Sequence, residues 1–336
     1  MRTKVAVVIL NWNGEKFLAD FLPSVVEYSV GEGVRIIVAD NGSADHSKEV
    51  VQRFTGVEWM SLGTNYGFAE GYNQALAQID ADLFVLLNSD VEVTPRWLEE
   101  LVSYMDAHPQ VAACQPKIRS YYRREYFEHA GACGGLMDQW GYPYCYGRMF
   151  DFVEEDHGQY DTPTRVFWAT GACLCIRRTC YLEVGGLDKD FFAHMEEIDL
   201  CWRLACRGWE LSCVPQSMVY HVGGGSLPKD NPRKDYLNFR NNLLMLYKNL
   251  PSKRLCLVMF VRFFLDYAAA LIFLLKGKTG SFKAVLKARM DYHRMKRSSN
   301  FKAKRKENIA LMQCSQPFGI IKRSIVWDYH LKHMKS

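Results

Sequence analysis

Three short polar stretches each follow directly on an apolar run: Asn11-Trp12-Asn13-Gly14, Asp40-Asn41-Gly42-Ser43 and Asn88-Ser89-Asp90. A carboxylate at the end of such a run is either part of an ordinary turn or one wall of a ligand site. Asp40 and Asp90 are both placed this way. Hard oxygen groups of this kind suit Mg²⁺ or Mn²⁺, or the hydroxyls of a polar ligand.

The elements that must carry these residues are legible in the same region. The runs at 5–10, 35–39 and 83–87 are apolar and rich in β-branched residues, without the alternation of a half-exposed strand. That is the pattern of strands covered on both faces. Stretches with helical period lie between them at 16–28, 47–54 and 69–78. Strands alternating with helices predict βαβ units and a mostly parallel sheet, with ligands just beyond the carboxyl ends of the strands. Three polar strand ends then converge on one crevice. Asn41-Gly42 reads as a turn that aims Asp40, and Asp45 as a cap for the next helix.

At 336 residues, 49% hydrophobic and 24% charged, the chain is long and apolar enough for a sizeable core, which argues against wholesale disorder. Its net charge of +5 is uneven. Residues 276–306 hold twelve Lys or Arg and one acid, a balance of +11, so the remainder carries −6. This predicts a neutral-to-acidic globular part and a basic appendage suited to an anionic surface. Eleven scattered cysteines with no CxxC pair read as buried apolar residues in a reducing compartment. The first apolar run is too short for a signal peptide, so a cytoplasmic location is expected.

Seven stretches occur in order: ILNWNG, VADNGSAD, TNYGFAEGYN, LLNSDVEV, ATGACLCIRR, FFAHMEEIDLCWRL and YHVGGGS. Over about residues 4–250 the chain resembles the inverting glycosyltransferases of family 2, which have the GT-A fold, a Rossmann-like α/β architecture. Within them it resembles the rhamnosyltransferase-like enzymes of bacterial surface polysaccharide synthesis. The resemblance implies a GT-A domain over 1–225, a helical, basic extension over 226–336, and transfer of a sugar from a nucleotide-diphosphate donor. A deoxyhexose such as rhamnose on dTDP, or a hexose on UDP, is the expected donor. The expected acceptor is a glycan or a polyprenyl-diphosphate-linked glycan; no nucleic acid is expected as a partner.

The resemblance also distributes roles. Asp40 would meet the base or ribose, with Asn11 as its neighbour. The Asn65-x-Gly67 to Asn73 stretch has the family's N-x-G-x-x-x-G-x-N form and would approach the nucleotide. Asn88-Ser89-Asp90 stands where the fold usually has Asp-x-Asp, so Asp90 must do most of the binding of a divalent metal. Asn88 is left to reach the ribose or sugar, and His221 is implied as a second ligand to the metal or diphosphate. A metal there would act as a Lewis acid on the leaving diphosphate.

Inversion needs a base for the acceptor hydroxyl. In the family this is the Asp of a Glu-Asp pair, and Glu197 occupies that position, one methylene or about 1.5 Å longer; Glu196 is the alternative. Gly171 and Ala172 resemble the acceptor side with Trp168 just upstream, where an indole either stacks on a sugar face or packs in the core. Arg240 matches a recurrent Arg-Asn and is expected either to meet a phosphate of the donor or acceptor or to be a surface charge. Asp199 is expected either to organise the site or to pair with Arg203 four residues on.

Residues 255–275 have the length of a spanning helix but contain Arg262 and Asp266. Spanning the membrane, lying in its interface as part of a peripheral protein, and packing on the catalytic domain all remain open. Two other functions compete, a sugar nucleotidyltransferase and an inactive GT-A-fold carbohydrate-binding protein. The first would want Arg and Lys in a Gly-rich loop after strand one, where residues 11–16 hold one Gly and no Arg.

Overall fold

In the computed structural model, which describes residues 3–129, 131–223 and 231–331, the apolar runs become the centre of a nine-stranded sheet. The first half runs β1 (Val5–Asn11), α1 (Glu15–Tyr28), β2 (Val34–Asp40), α2 (Ser47–Val51), β3 (Val57–Ser61), α3 (Gly67–Leu76) and β4 (Leu83–Leu87). Then come β5 (Val91–Val93), α4 (Trp97–Ala107) and β6 (Val111–Ser120). A smaller five-stranded sheet follows with β7 (Gly135–Asp138), β8 (Pro143–Cys145), β9 (Arg148–Met149) and β10 (Phe152–Val153). The main sheet resumes with β11 (Thr164–Arg165), β12 (Cys173–Arg177), α5 (Arg178–Glu183), α6 (Glu196–Cys206) and β13 (Glu210–His221). The chain closes with α7 (Pro232–Asn249), α8 (Ser252–Leu275), α9 (Thr279–Met295), α10 (Ser299–Ala310), β14 (Ile320–Ile321) and α11 (Ile325–Leu331).

Strands β4, β1, β2 and β3 are parallel neighbours, and antiparallel β12 links them to β6 and β13. The absence of alternation in β1 has a direct explanation. Ala6 and Val8 enter the core on one face of the sheet, and Val5, Val7 and Ile9 enter the core on the other. Successive side chains point to opposite faces, so both must be apolar. Each fully buried Val or Ile contributes roughly 1.5–3 kcal/mol relative to exposure.

Register then delivers the polar ends. Asn11 pairs with Asp40 across β1 and β2. His221 pairs with Val91 across β13 and β5, which brings it beside Asp90. The helix expected over 47–54 ends three residues early, at Val51. Strand β3 was not anticipated: VEWMS, at the sheet edge, is only partly buried and too short for a clear pattern.

The C-terminal helices are packed on the rest of the protein. Lys248 of α7 reaches Asp199 of α6 at 2.9 Å and also pairs with Asp188. Lys304 of α10 binds Asp188 and Asp190, both at 2.6 Å. Strand β14 pairs with β7 in the smaller sheet. Part of the expected basic appendage is therefore consumed in ion pairs with the acidic part of the chain.

Candidate active site

At the end of β2, Asp40 is buried and tied down on both oxygens. Its Oδ1 accepts from Asn11 Nδ2 (3.3 Å) and its Oδ2 from the Ser43 amide (3.1 Å). Asn11, wholly buried, also donates to Ser43 Oγ (3.1 Å), yet its own Oδ1 has no hydrogen-bond partner. A Cβ on Gly14 would come within 2.3 Å of that Oδ1, so glycine keeps its surroundings open. Gly42 completes the turn at φ +79°, and a Cβ there would meet the Thr64 backbone at 2.8 Å. Asn41 then holds the next loop, accepting from Tyr66 N (3.0 Å) and donating to Asn65 Oδ1 (3.3 Å) and Gly67 O (3.0 Å). Asp45 accepts from the first amide of α1, at Glu15 (2.9 Å), and of α2, at Ser47 (3.2 Å).

At the end of β4, Asp90 lies 3.2 Å from His221 Nε2, and Asn88 Nδ2 is 3.5 Å from the same nitrogen. The far nitrogen of the ring, Nδ1, faces Glu128 Oε2 at 3.3 Å. Burial alone would lower the His221 pKa, but Glu128 and Asp90 outweigh it and push it up to about 10.

A divalent cation would fit this donor set by displacing the Nε2 proton that joins His221 to Asp90, with Glu128 behind the ring as an orienting group. No cluster of three or more His, Cys, Asp or Glu side chains suited to a metal occurs among the described residues. Two protein ligands would leave most positions of a bound cation to oxygens from outside the protein, as Mg²⁺ prefers. Glu128 was missed from sequence. It sits in the Tyr- and Gly-rich stretch after β6, where no spacing marks it.

The third cluster is the entry to α6. Burial pushes the Glu197 pKa up to about 7, partly offset by backbone amides of the first turn. Glu196 is raised well above the usual carboxylate range by burial and then by Glu197. In both, Oε2 is buried without a hydrogen-bond partner. The chain reaches them through three non-glycine residues at positive φ, Phe192 (67°), His194 (69°) and Met195 (73°), each a conformation that costs energy.

A clamp from α7 holds this loop. Asn241 Nδ2 donates to the carbonyls of Phe191 (3.0 Å), Ala193 (2.9 Å) and His194 (2.8 Å). Arg240 donates to Asp190 O (3.2 Å) and Phe191 O (3.0 Å), and to Asn241 Oδ1 (2.8 Å). From the other side, Phe68 N and Ala69 N donate to Phe192 O (2.9 and 3.3 Å). His194 Nε2 is buried without a hydrogen-bond partner, and burial followed by Lys234 lowers its pKa to about 4.

The clusters touch. A Cβ on Gly171 would lie 3.7 Å from Glu197 Cβ, and Asn88 N donates to Ala172 O (3.0 Å). The Gly171-Ala172 turn thus joins the end of β4 to the start of α6.

Four residues expected at the site are engaged elsewhere. Trp168 is a core residue, 3% exposed, its Nε1 donating to Leu136 O (2.9 Å), and cannot stack on a sugar from there. Asp199 is fully buried and accepts from Arg203 (2.9 Å), Lys248 (2.9 Å) and Asn249 (2.9 Å). Of the two expectations for it, the Arg203 pair is the one present. Asn73 fastens α3 to the loop before the clamp, accepting from Tyr181 Oη (2.6 Å) and Leu187 N (3.0 Å). Arg240 gives Nε to Asn241 and Nη2 to the loop carbonyls, and its Nη1 reaches Tyr236 Oη (3.4 Å), so it positions the loop. Asn65 and Gly67 are tied to Asn41, the residue after Asp40, through Asn65 Oδ1 and Gly67 O. Of YHVGGGS, only Tyr220 to Gly223 fall among the described residues.

Residues 6–170 match the family model described as glycosyl transferase family 2. The chain is 28% identical over 246 residues to N-acetylglucosaminyl-diphospho-decaprenol L-rhamnosyltransferase of Mycobacterium tuberculosis, covering 68% of this chain and 80% of the relative. It is 23% identical over 258 residues to rhamnosyltransferase WbbL of Escherichia coli, covering 75% of this chain and 94% of the relative.

Among solved structures, a mannosyltransferase from Pyrobaculum calidifontis in complex with GDP-Man and Mn²⁺ superimposes with a TM-score of 0.55 at 14% identity. The match spans 93% of this chain and 85% of that one. TarS residues 1–349 of S. aureus in complex with UDP-GlcNAc superimposes with a TM-score of 0.57 at 14% identity, over 92% and 88%. At such identities these structures bear on the fold alone, which is GT-A.

Proposed function

We propose, from the premise that this chain belongs to glycosyl transferase family 2, a metal-dependent inverting transfer. A sugar passes from a nucleotide-diphosphate donor to a hydroxyl of a glycan or polyprenyl-diphosphate-linked glycan. The rhamnosyltransferase relatives favour a deoxyhexose such as rhamnose on dTDP. The diphosphodecaprenol named in one of them favours a lipid-linked acceptor.

In this reading Asp40, fixed by Asn11 and Ser43, receives the base or ribose. Asp90 and His221 hold the divalent metal, which when bound stabilises the charge of the leaving diphosphate. Asn88 faces the ribose or sugar. Glu197 takes the proton of the acceptor hydroxyl as that oxygen attacks the anomeric carbon from the face opposite the diphosphate. Glu196 stands beside Glu197, its carboxyl pKa raised by burial and then by that neighbour.

The observation that carries the proposal is the state of Glu197: a carboxylate raised to about 7 with a buried, unpartnered oxygen, set beside Gly171. A general base works best when its pKa lies near the working pH. Protein stability alone gives no reason to leave a buried carboxylate oxygen without a partner.

Thermal shift with dTDP-rhamnose and UDP-sugars, with and without Mn²⁺, followed by transfer to a lipid-linked acceptor, tests this reading. Asp40→Ala is expected to lose donor stabilisation with or without Mn²⁺. Asp90→Ala is expected to lose only the Mn²⁺-dependent part. Equal transfer in excess chelator would overturn the metal assignment. Donor binding without any turnover would favour a carbohydrate-binding protein instead.

A further inference from the structure

Helix α8 has two unlike faces. Val258, Arg262, Asp266 and Ala270, at four-residue steps, are buried. The charges among them are closed within the protein. Arg262 Nε pairs with Asp266 Oδ1 (2.9 Å), and its Nη1 donates to Trp140 O (3.3 Å) and to Asn242 of α7. Arg289 of α9 donates to Asp266 Oδ2 (2.7 Å) and Arg262 O (3.3 Å), and the Tyr142 ring lies 4.1 Å from the Arg262 guanidinium. The opposite face carries Phe260, Phe264, Tyr267, Leu271 and Leu275, spaced as one helical stripe and 66, 58, 40, 53 and 78% exposed. Single exposed apolar residues are ordinary on a protein surface, but a contiguous aromatic stripe is not.

We propose that this stripe is a bilayer-docking surface, and that α8 lies in the plane of an anionic membrane with its outer face in the headgroup and acyl boundary. Three features favour lipid over other occupants. At 24 residues, or about 36 Å, α8 offers a long aromatic edge of the kind that sits at membrane interfaces. Exposed lysines stand at its two ends, Lys253 and Lys276. Pairing α8 with a second copy, parallel or antiparallel, would set lysine against lysine at both ends, whereas anionic headgroups neutralise them.

The buried face also decides between lying on the membrane and crossing it. Arg262 and Asp266 are satisfied by α7 and α9, and α9 exposes Lys283, Lys287 and Arg294. A spanning α8 would either carry those charges into hydrocarbon or strip Arg262 and Asp266 of their partners. Helix α7 connects this surface to the active site: Asn242 touches Arg262 while its neighbour Asn241 clamps the loop before Glu197. Given the lipid-linked acceptor proposed above, docking would hold the acceptor side of the enzyme at the bilayer. The docking itself does not depend on that acceptor.

The test needs neither donor nor acceptor. The full chain is sedimented with vesicles of phosphatidylcholine containing about one-third phosphatidylglycerol, at low and high salt. Wild type is expected to bind, more weakly at high salt. The combined variant Phe260→Ser, Phe264→Ser, Leu271→Ser is expected to keep its circular dichroism and bind at least tenfold less. Lys253→Glu with Lys276→Glu should weaken binding only to the anionic vesicles.

If the triple variant does not fold, Phe260→Trp and Leu275→Trp decide the matter in separate proteins. In-plane docking predicts that lipids brominated near the headgroup quench both, although the two positions are about 22 Å apart along the helix. Wild type that ignores vesicles, or a stripe whose loss only dissociates a dimer, would overturn the proposal. So would quenching of a Tyr267→Trp variant by deep bromines alone. Vesicle binding without transferase activity would leave the docking standing and count against the reaction instead.

Discussion

Glu197 and Asp199 lie two residues apart on α6, both carboxylates in a largely buried setting, and their surroundings are opposite. Asp199 receives hydrogen bonds from Arg203, Lys248 and Asn249 and sits in a polar seam that continues through Asp188 to Lys304. Glu197 and its neighbour Glu196 each have a buried oxygen with no partner. The seam joins α7 and α10 to α6 and the loop before it, and the first turn of α6 keeps two buried carboxylate oxygens without a partner. In the proposed reaction a substrate hydroxyl would be that partner. On that reading the acid that holds the fold is distinct from the acids proposed to serve the reaction.

Glu197→Gln is expected to break the reactive half of this contrast most sharply. Transfer should fall about 10²- to 10⁴-fold, the range for losing a general base, while the melting temperature stays the same or rises. A variant that unfolded would place Glu197 with Asp199 as a structural acid.

Lys248→Met addresses the other half. It leaves Asp188 and Asp199 short of a cation in the interior and should cost about 3–5 kcal/mol of stability, read by denaturant unfolding. Its turnover well below the melting temperature should stay near wild type.

Asn241→Ala lies between the two regions, because Asn241 belongs to α7 yet holds the strained loop. It should lower kcat about tenfold to a hundredfold, in keeping with a small misplacement of a catalytic group, with donor KM little changed. An unchanged kcat would mean the loop keeps its shape without the clamp.

The same contrast explains what could be read in the sequence. The strands at 5–10, 35–39 and 83–87 were legible because strands covered on both faces must be apolar throughout, and the polar residues that interrupt them stand out. Glu196 and Glu197 were legible through the FFAHMEEIDL pattern. Their difference from Asp199 was not, because the cations that pair with Asp199 come from residue 248 and, through Asp188, from residue 304, both far along the chain.

Glu128 was hidden for the same reason. It reaches His221 only because β6 and β13 run side by side. Trp168 misled because an indole suits a sugar face and a core equally well, and only the closeness of Gly135 and Leu136 reveals the core. Arg262 and Asp266 made residues 255–275 ambiguous until Asn242 and Arg289 supplied the partners.

The most direct test of the central claim is the pH dependence of kcat/KM. As the proposed base Glu197 would act only when deprotonated, and burial raises its pKa to about 7. The account therefore predicts that wild-type kcat/KM rises with pH through an apparent pKa near 7, and that this limb is absent from the residual activity of Glu197→Gln. A limb that persists in Glu197→Gln, or a wild-type profile already flat above the ordinary carboxylate value of 4.5, would contradict it.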